Sequence, residues 1–283
     1  MINPQHLETT SCPVCQHTEN REAYTFAPFK IVRCNNCTAF YLSPRLEEQA
    51  AIRLYENEDY FNEAHESGYS EYTEQEPALR KTFQRFMENL KKERATDGRL
   101  LEIGCGFGYL LDEAQPYFSY RAGTDFSSGA VARAEQVADA VYLGDVSAVP
   151  AEDRFDCIVA TNVLEHTYAP ANFLHDLHAR LNPGGCIVMA VPNMASFLRF
   201  VLHKKWPSFK VPEHTIYFDQ TTLQRVFRQA ELTQIAPFSF PHAFSIKLIV
   251  GKFGINLSDS FNEMSIWVPT TMTATIGYKA DDA

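Results

Sequence analysis

The sequence predicts an α/β protein, a doubly wound and mostly parallel sheet with a small cysteine-rich module at its N-terminus. Three observations carry this prediction. Residues 99–193 alternate short apolar runs with helical patterns. The first run, Leu100, Leu101 and Ile103, breaks off at Gly104, Gly106 and Gly108, and Tyr109-Leu110-Leu111 then opens a helical pattern. Cys12-Pro-Val-Cys15 and Cys34-Asn-Asn-Cys37 stand 18 residues apart near the start of the chain. A strand, a glycine turn and a helix make the first third of a doubly wound nucleotide site. There glycine lets backbone approach a ligand, and the helix N-terminus offers free N–H groups to an anion. Glycine turns of this kind also join strands to helices without binding anything, so the remaining elements have to decide.

Size and charge narrow the field. A chain of 283 residues has room for one large α/β domain and an accessory module, and 45% apolar residues suffice for a core. The net charge of −10 argues against a broad phosphate-neutralising surface, so nucleic acid is not an expected partner. No apolar run approaches 18 residues, and the N-terminus lacks a charged start followed by an apolar stretch. The expectation is a cytoplasmic protein without membrane contact. Four of the seven cysteines form the two C-x-x-C pairs, which in a reducing compartment points to metal before disulfide.

Taken in order, residues 1–45 read as a zinc ribbon. Two C-x-x-C turns bring four soft ligands, Cys12, Cys15, Cys34 and Cys37, to one point, with short strands expected at Arg21–Phe26 and Lys30–Arg33. A closed four-thiolate site has no open position, so the zinc is expected to be structural and not catalytic. Four Lys/Arg against three Asp/Glu in this segment give little grip on phosphate. Residues 46–98 read as a linker and a covering helix. Tyr55, Tyr60, Phe61, Tyr69 and Tyr72 lie among carboxylates, either as a solvated linker or as a flap over a small ligand. After Pro77, Leu79, Phe83, Phe86, Met87 and Leu90 recur at helical spacing, and Asp97-Gly98 makes the stop.

In the third segment, 99–283, strand and helix patterns alternate. Tyr120–Thr124 ends at Asp125, 19 residues after Gly106, about where an acid meets ribose hydroxyls in a nucleotide fold. Ser127–Val137 is helical, and Val141–Leu143 leads to Gly144-Asp145-Val146. The apolar strand Phe155–Ala160 precedes Thr161-Asn162-Val163-Leu164-Glu165-His166. A helix marked by Phe173, Leu174, Leu177 and Leu181 follows, and Asn182-Pro183-Gly184-Gly185 turns into the strand Cys186–Val191. Cys105, Cys157 and Cys186 fall in or beside strands and suit small core positions.

The set Leu-Glu-Ile-Gly-Cys-Gly-Phe-Gly (101–108), Gly-Thr-Asp (123–125), Gly-Asp-Val (144–146), Phe-Asp-Cys-Ile-Val-Ala-Thr-Asn-Val-Leu-Glu-His (155–166) and Leu-Asn-Pro-Gly-Gly (181–185) resembles class I S-adenosylmethionine-dependent methyltransferases, in order and spacing, across about 78–240. The Glu-His pair is similar to the branch with ubiquinone-pathway O-methyltransferases and many small-molecule enzymes. A ribbon running into Phe-Tyr-Leu-Ser-Pro-Arg (40–45) resembles a bacterial subgroup associated with sugar, polysaccharide or secondary-metabolite pathways. The resemblance implies a seven-stranded sheet with an antiparallel finish formed by Gln234–Phe240 and Thr271–Tyr278. It implies that Glu102, Gly104, Cys105, Gly106 and Gly108 shape the methionine end of the cofactor pocket. Asp125 would hold the ribose, Phe126 would lie beside the adenine, Asp145 and Val146 would meet the adenine edge, and Asn162 would line the site below the sulfonium. Tyr109 departs from the small residue many relatives carry after the glycines.

The expected reaction is methyl transfer to a small molecule, with a hydroxyl of a sugar or secondary metabolite ahead of C- or N-methylation. Such a hydroxyl has to lose its proton, and His166 and His214 are equal candidates for the base. The structural readings are a helix cap for His166 and a bond fixing the insertion for His214. Glu165 could position His166 or, with it, hold a divalent ion. The insertion 194–218 should cover the acceptor. An rRNA base methyltransferase is opposed by the acidic charge, and a non-catalytic cofactor-binding scaffold by the intact glycine turn with Asp125 and Asp145. An NAD-binding protein is opposed by the absence of G-x-G-x-x-G spacing. Phe244–Leu257 is expected to form a helix or lid. Nothing in the sequence sets an oligomeric state.

Overall fold

The computed structural model describes residues 6–51, 73–251 and 264–281. The tyrosine-rich stretch proposed as a flap, Tyr55 to Tyr72, lies outside them. At the N-terminus β1 (Leu7–Glu8) pairs with β5 (Arg45–Leu46). β2 (Asn20–Phe26) and β3 (Phe29–Cys34) form an antiparallel hairpin, and β4 (Phe40–Leu42) pairs with the other edge of β3. The ribbon strands extend one or two residues beyond the predicted runs.

The covering helix α1 (Glu76–Lys92) carries Pro77 in its first turn, Glu76 at its positive end and Lys91 and Lys92 at its negative end. Ala78 is buried, and Phe83, Phe86, Met87 and Leu90 of its apolar face pack on the sheet. Phe86, Met87 and Leu90 are fully buried, each worth roughly 1.5–3 kcal/mol by area. Then come β6 (Arg99–Ile103), α2 (Tyr109–Glu113), β7 (Tyr120–Asp125), α3 (Ser128–Ala134) capped by Ser127, β8 (Ala140–Leu143), β9 (Phe155–Thr161) and α4 (Pro170–Ala179). The strand predicted to begin at Cys186 begins at Leu181 as β10 (Leu181–Pro192). Leu181 pairs with Phe155, and the register shifts before Cys186 meets Cys157, so Asn182–Gly185 is an irregularity within a strand.

After β10 the chain makes the short helix α5 (Phe197–Leu202) and β11 (Ile216–Tyr217). It continues as α6 (Gln220–Gln229), closed at its N-terminus by an Asp219–Thr222 capping box, and β12 (Thr233–Phe238). β13 (Ala243–Ser245), α7 (Ile246–Gly251), β14 (Ser265–Trp267) and β15 (Met272–Tyr278) follow. The expected helix at 244–257 is thus a strand and a short helix as far as residue 251, and 252–263 lie outside the described residues.

The main sheet has seven strands in the order β12-β15-β10-β9-β6-β7-β8. The pairs from β10 to β8 are parallel, and β15 runs antiparallel to both β10 and β12. β6 and β9 lie side by side at the centre, buried on both faces, so ligands are expected at their carboxyl ends. The ribbon does not stand apart from this sheet. β11, from the insertion 194–218, pairs with β4 and completes the ribbon's own sheet as β11-β4-β3-β2. One continuous core joins Cys12, Val14 and Tyr41 to Leu101, Ile158 and Ile187. No helix among the described residues is long and apolar enough to cross a membrane.

Candidate active site

After Ile103 the chain has to reverse closely over the sheet edge. Gly104, Gly106 and Gly108 all take left-handed φ, +71°, +52° and +79°. At two of them space is also exhausted. A Cβ on Gly104 would lie 2.7 Å from Val163 Cγ2, and one on Gly108 would lie 2.8 Å from Val137 Cγ2. Thr124 O accepts from Gly104 N at 2.8 Å and from Cys105 N at 2.9 Å. Asp125 Oδ2 accepts from Gly106 N and Oδ1 from Ser127 N, both at 2.9 Å, so one carboxylate braces the turn after β6 against the turn after β7. Burial raises the Asp125 carboxyl, opposed by the N–H groups of Ser127 and Gly106. Glu102 is buried behind the turn. Burial, and then the charge of Asp125, hold it well above the carboxylate range, and its Oε2 has no hydrogen-bond partner. A braced acid at the end of β7 and an unsatisfied Glu102 oxygen behind the glycine turn suit a ligand rich in hydrogen-bonding hydroxyl and amino groups, such as a nucleoside.

The other expected cofactor residues are distributed unevenly. Phe126 is 71% exposed directly after Asp125, an uncovered aromatic face. Asn162 is exposed at the end of β9 with φ +56°, and its N–H donates to Ala190 O at 2.9 Å. Asp145 caps the turn Val146–Ala148, accepting from Ser147 N at 2.8 Å, while Val146 is buried. The Cys105 side chain is buried against Gly123 and Leu111, so that residue offers the site only its backbone. Tyr109 turns toward α1, its hydroxyl donating to Glu76 Oε2 at 3.1 Å.

Opposite the turn, a short 3-10 segment, Leu164–His166, follows β9. Glu165 and His214 are buried and His166 partly so, and one ligand atom from each lies within 4.8 Å of the others. The two imidazoles meet edge to face with centroids 4.7 Å apart. His214 Nε2 is 4.0 Å from Glu165 Oε1. His166 Nδ1 is 3.1 Å from Glu213 O. A carbonyl only accepts, which assigns the proton to Nδ1 and the lone pair to Nε2. Burial raises Glu165 to about 8, lowers His166 to about 4 and holds His214 well below the usual range, with Lys210 adding to both histidine shifts. At neutral pH the group is therefore uncharged. Both Glu165 oxygens lack hydrogen-bond partners, and one carboxylate with two imidazoles is also a donor set for a divalent ion.

Sequence reasoning missed what joins this group. Thr215 N donates to Glu165 O at 2.8 Å, and its Oγ1 donates to Thr167 O at 2.9 Å. Thr215 O in turn accepts from Leu42 N at 2.8 Å, next to the β4–β11 pairing. Thr215 has no spacing signature; its adjacency to His214 was the sole pointer. The ribbon's four Sγ atoms lie within 4.8 Å of one another, with Cys12–Cys37 at 3.4 Å and Cys15–Cys34 at 3.6 Å. A tetrahedral zinc thiolate has edges of about 3.8 Å. Burial raises the Cys37 thiol to about 11, a penalty that a bound cation would remove. These four thiols would hold the zinc.

Comparisons with known proteins agree with the fold. A family model described as "Methyltransferase domain" matches residues 71–236, more than half of the chain. Over 132 residues the chain is 29% identical to a ubiquinone biosynthesis O-methyltransferase of Bradyrhizobium diazoefficiens, covering 44% of this chain and 48% of that protein. It thus spans about half the length of the curated relatives it matches. Among solved structures, the plantazolicin methyltransferase BpumL, in complex with a monoazolic desmethylPZN analog and SAH, superposes with TM-score 0.54 at 15% identity, covering 82% of this chain and 94% of that one. An S-adenosylmethionine-dependent methyltransferase from Thermotoga maritima, described as a possible histamine N-methyltransferase, gives 0.52 at 16% identity, covering 75% and 94%. The chain belongs to the methyltransferase-domain family and has its class I, S-adenosylmethionine-dependent fold.

Proposed function

We propose that this chain transfers a methyl group from S-adenosylmethionine to a hydroxyl of a small molecule of the sugar or secondary-metabolite kind. One observation carries the reading: a braced glycine turn and the Glu165-His166 pair follow adjacent parallel strands, β6 and β9, at their carboxyl ends, and His214 of the insertion joins that pair. In this reading Glu102 and the turn 104–108 receive the methionine end, Asp125 the ribose, Phe126 and the 145–146 turn the adenine, and Asn162 the floor. Bound S-adenosylmethionine supplies an electrophilic methyl group. The residues of this chain align the acceptor oxygen, exclude water and take its proton as that oxygen bonds carbon and the C–S electron pair stays on sulfur. His166 Nε2 and His214 are the candidate proton acceptors. A buried neutral imidazole is a weak base alone, so Glu165 beside His214, as it ionises toward about pH 8, would stabilise the imidazolium. Residues 1–45 serve as a structural zinc ribbon, residues 46–98 as linker and cover, and 194–218 as the acceptor-covering insertion.

The test is calorimetric titration with S-adenosylmethionine and S-adenosylhomocysteine, followed by labelled-methyl transfer to a panel of hydroxylated sugars and phenols. Micromolar binding of both nucleosides is expected. Absence of binding by folded, zinc-replete protein would sink the reading. Metal analysis should find one zinc per chain. A second equivalent that disappears in His214→Ala would assign a divalent ion to Glu165, His166 and His214.

A further inference from the structure

We infer that α5 and the turn after it dock this protein on an anionic lipid bilayer. A surface helix normally turns its apolar stripe to the core. Here the polarity is inverted. Phe197, Phe200 and Val201 share one face at i, i+3 and i+4, and they are 71%, 56% and 57% exposed; no residue of the helix is buried. The helix's cation is tethered to the protein: Arg199 Nη1 donates to Tyr24 Oη at 2.6 Å and its Nε donates to Met194 O, while its guanidinium lies over one side of the Phe200 ring at 4.0 Å. Leu198 packs on the cluster around Trp206 and Phe209, anchoring the helix from below. The outward face is therefore held out by its own tethers.

Charge identifies the occupant. Exposed His203, Lys204 and Lys205 follow the apolar tip at once, and Lys210 is exposed beyond them. No Asp or Glu occurs between Asn193 and Glu213 in a chain whose net charge is −10. An anionic surface repels most of such a protein and admits it where cations flank apolar side chains, so the bilayer sets the orientation as well as the affinity. The helix starts five residues beyond the carboxyl end of β10. Docking thus turns the covered mouth toward the membrane, and, on the methyltransferase reading above, suits an acceptor carried in the bilayer. This departs from the expectation of no membrane contact, because the sequence does not show which way the apolar side chains point.

Flotation of the full chain with phosphatidylcholine vesicles, with and without phosphatidylglycerol, tests the inference. Retention is expected on the anionic vesicles alone. The double variant Phe197→Ser/Phe200→Ser should lower it at least ~10-fold, and Lys204→Glu/Lys205→Glu by about fivefold per charge, with added salt reproducing the second loss. Both variants should keep wild-type affinity for S-adenosylhomocysteine, which separates loss of docking from misfolding. Failure of the wild type to float, or flotation unchanged in both variants, would overturn the inference. So would a wild-type dimer in size-exclusion chromatography that Phe197→Ser/Phe200→Ser dissociates, since the face would then belong to a second copy.

Discussion

The glycine turn draws its brace from residues within one βαβ unit, Gly106 to Asp125 to Ser127, whereas the group opposite it is drawn from across the chain. His166 reaches Glu213 over 47 residues, and Thr215 is held by Glu165 on one side and by Leu42 of the ribbon on the other. The first arrangement is a local solution to a local problem: a strand has to reverse tightly, and glycines plus one carboxylate suffice. The second exists because two separate segments add strands to one small sheet, with β4 on β11 as the seam. The two sides should therefore fail independently.

The largest expected effect comes from the seam. Chelating zinc, or replacing Cys34 with Ser, should loosen β3 and β4 and let β11 carry His214 away from Glu165. A displacement of about 1 Å near reacting groups can cost about 100-fold in rate. Methyl transfer is expected to fall by that order while affinity for S-adenosylhomocysteine changes less than ~3-fold. Equal loss of both would break the comparison.

Next comes the brace. Asp125→Ala removes two charge-assisted hydrogen bonds and the proposed ribose contact, and should weaken S-adenosylhomocysteine binding about 10- to 100-fold, read by calorimetry. Gly104→Ala adds a left-handed alanine whose Cβ meets Val163, and should cost about 1–3 kcal/mol in unfolding free energy. The double variant with Val163→Ala should recover part of that loss, since the collision is relieved and the φ strain is not.

The uncharged acceptor group supplies a smaller, pH-dependent effect. Folded Glu165 titrates at about 8 against an ordinary 4.5, so its contribution to stability is full below 4.5 and is lost as pH rises through 8. His166, at about 4 against 6.5, acts oppositely, its contribution being lost as pH falls through 4; His214 shifts in the same direction. Between 4.5 and 6.5 one histidine cancels the Glu165 term and the second leaves a net rise with pH. Above about 6.5 Glu165 alone leaves a decline, up to about 8, that thermal unfolding should detect at about 1 kcal/mol per pH unit. Glu165→Gln should flatten it, and should also remove a rise in the methyl-transfer rate through the same range. The smallest effect is expected from Phe126→Ala, about fivefold in cofactor affinity if one stacking face is lost.

What could be read beforehand follows the same division. The succession of strands and helices along 99–193, the Gly104–Gly108 turn, Asp125 at the end of β7 and the four-cysteine set were legible because each lies in a short stretch whose chemistry is local. For Cys105 the sequence did not show which part faces the site: its side chain points into the core that Gly123 opens, which leaves its backbone to the turn. The long start of β10 was missed because Asn182–Gly185 has turn composition, and only pairing with β9 holds it extended.

By itself, then, the sequence determined the parallel sheet, the reversal at its centre and a four-cysteine ribbon, since glycine φ, apolar runs and thiol spacing act over a few residues. Tertiary structure alone decided that the ribbon and the insertion 194–218 share a sheet and that His166, His214 and Glu165 meet uncharged. It also decided that Phe197 and Phe200 face outward. Those outcomes depend on contacts between segments far apart in the chain, where burial and register are set by what packs alongside and not by residue type.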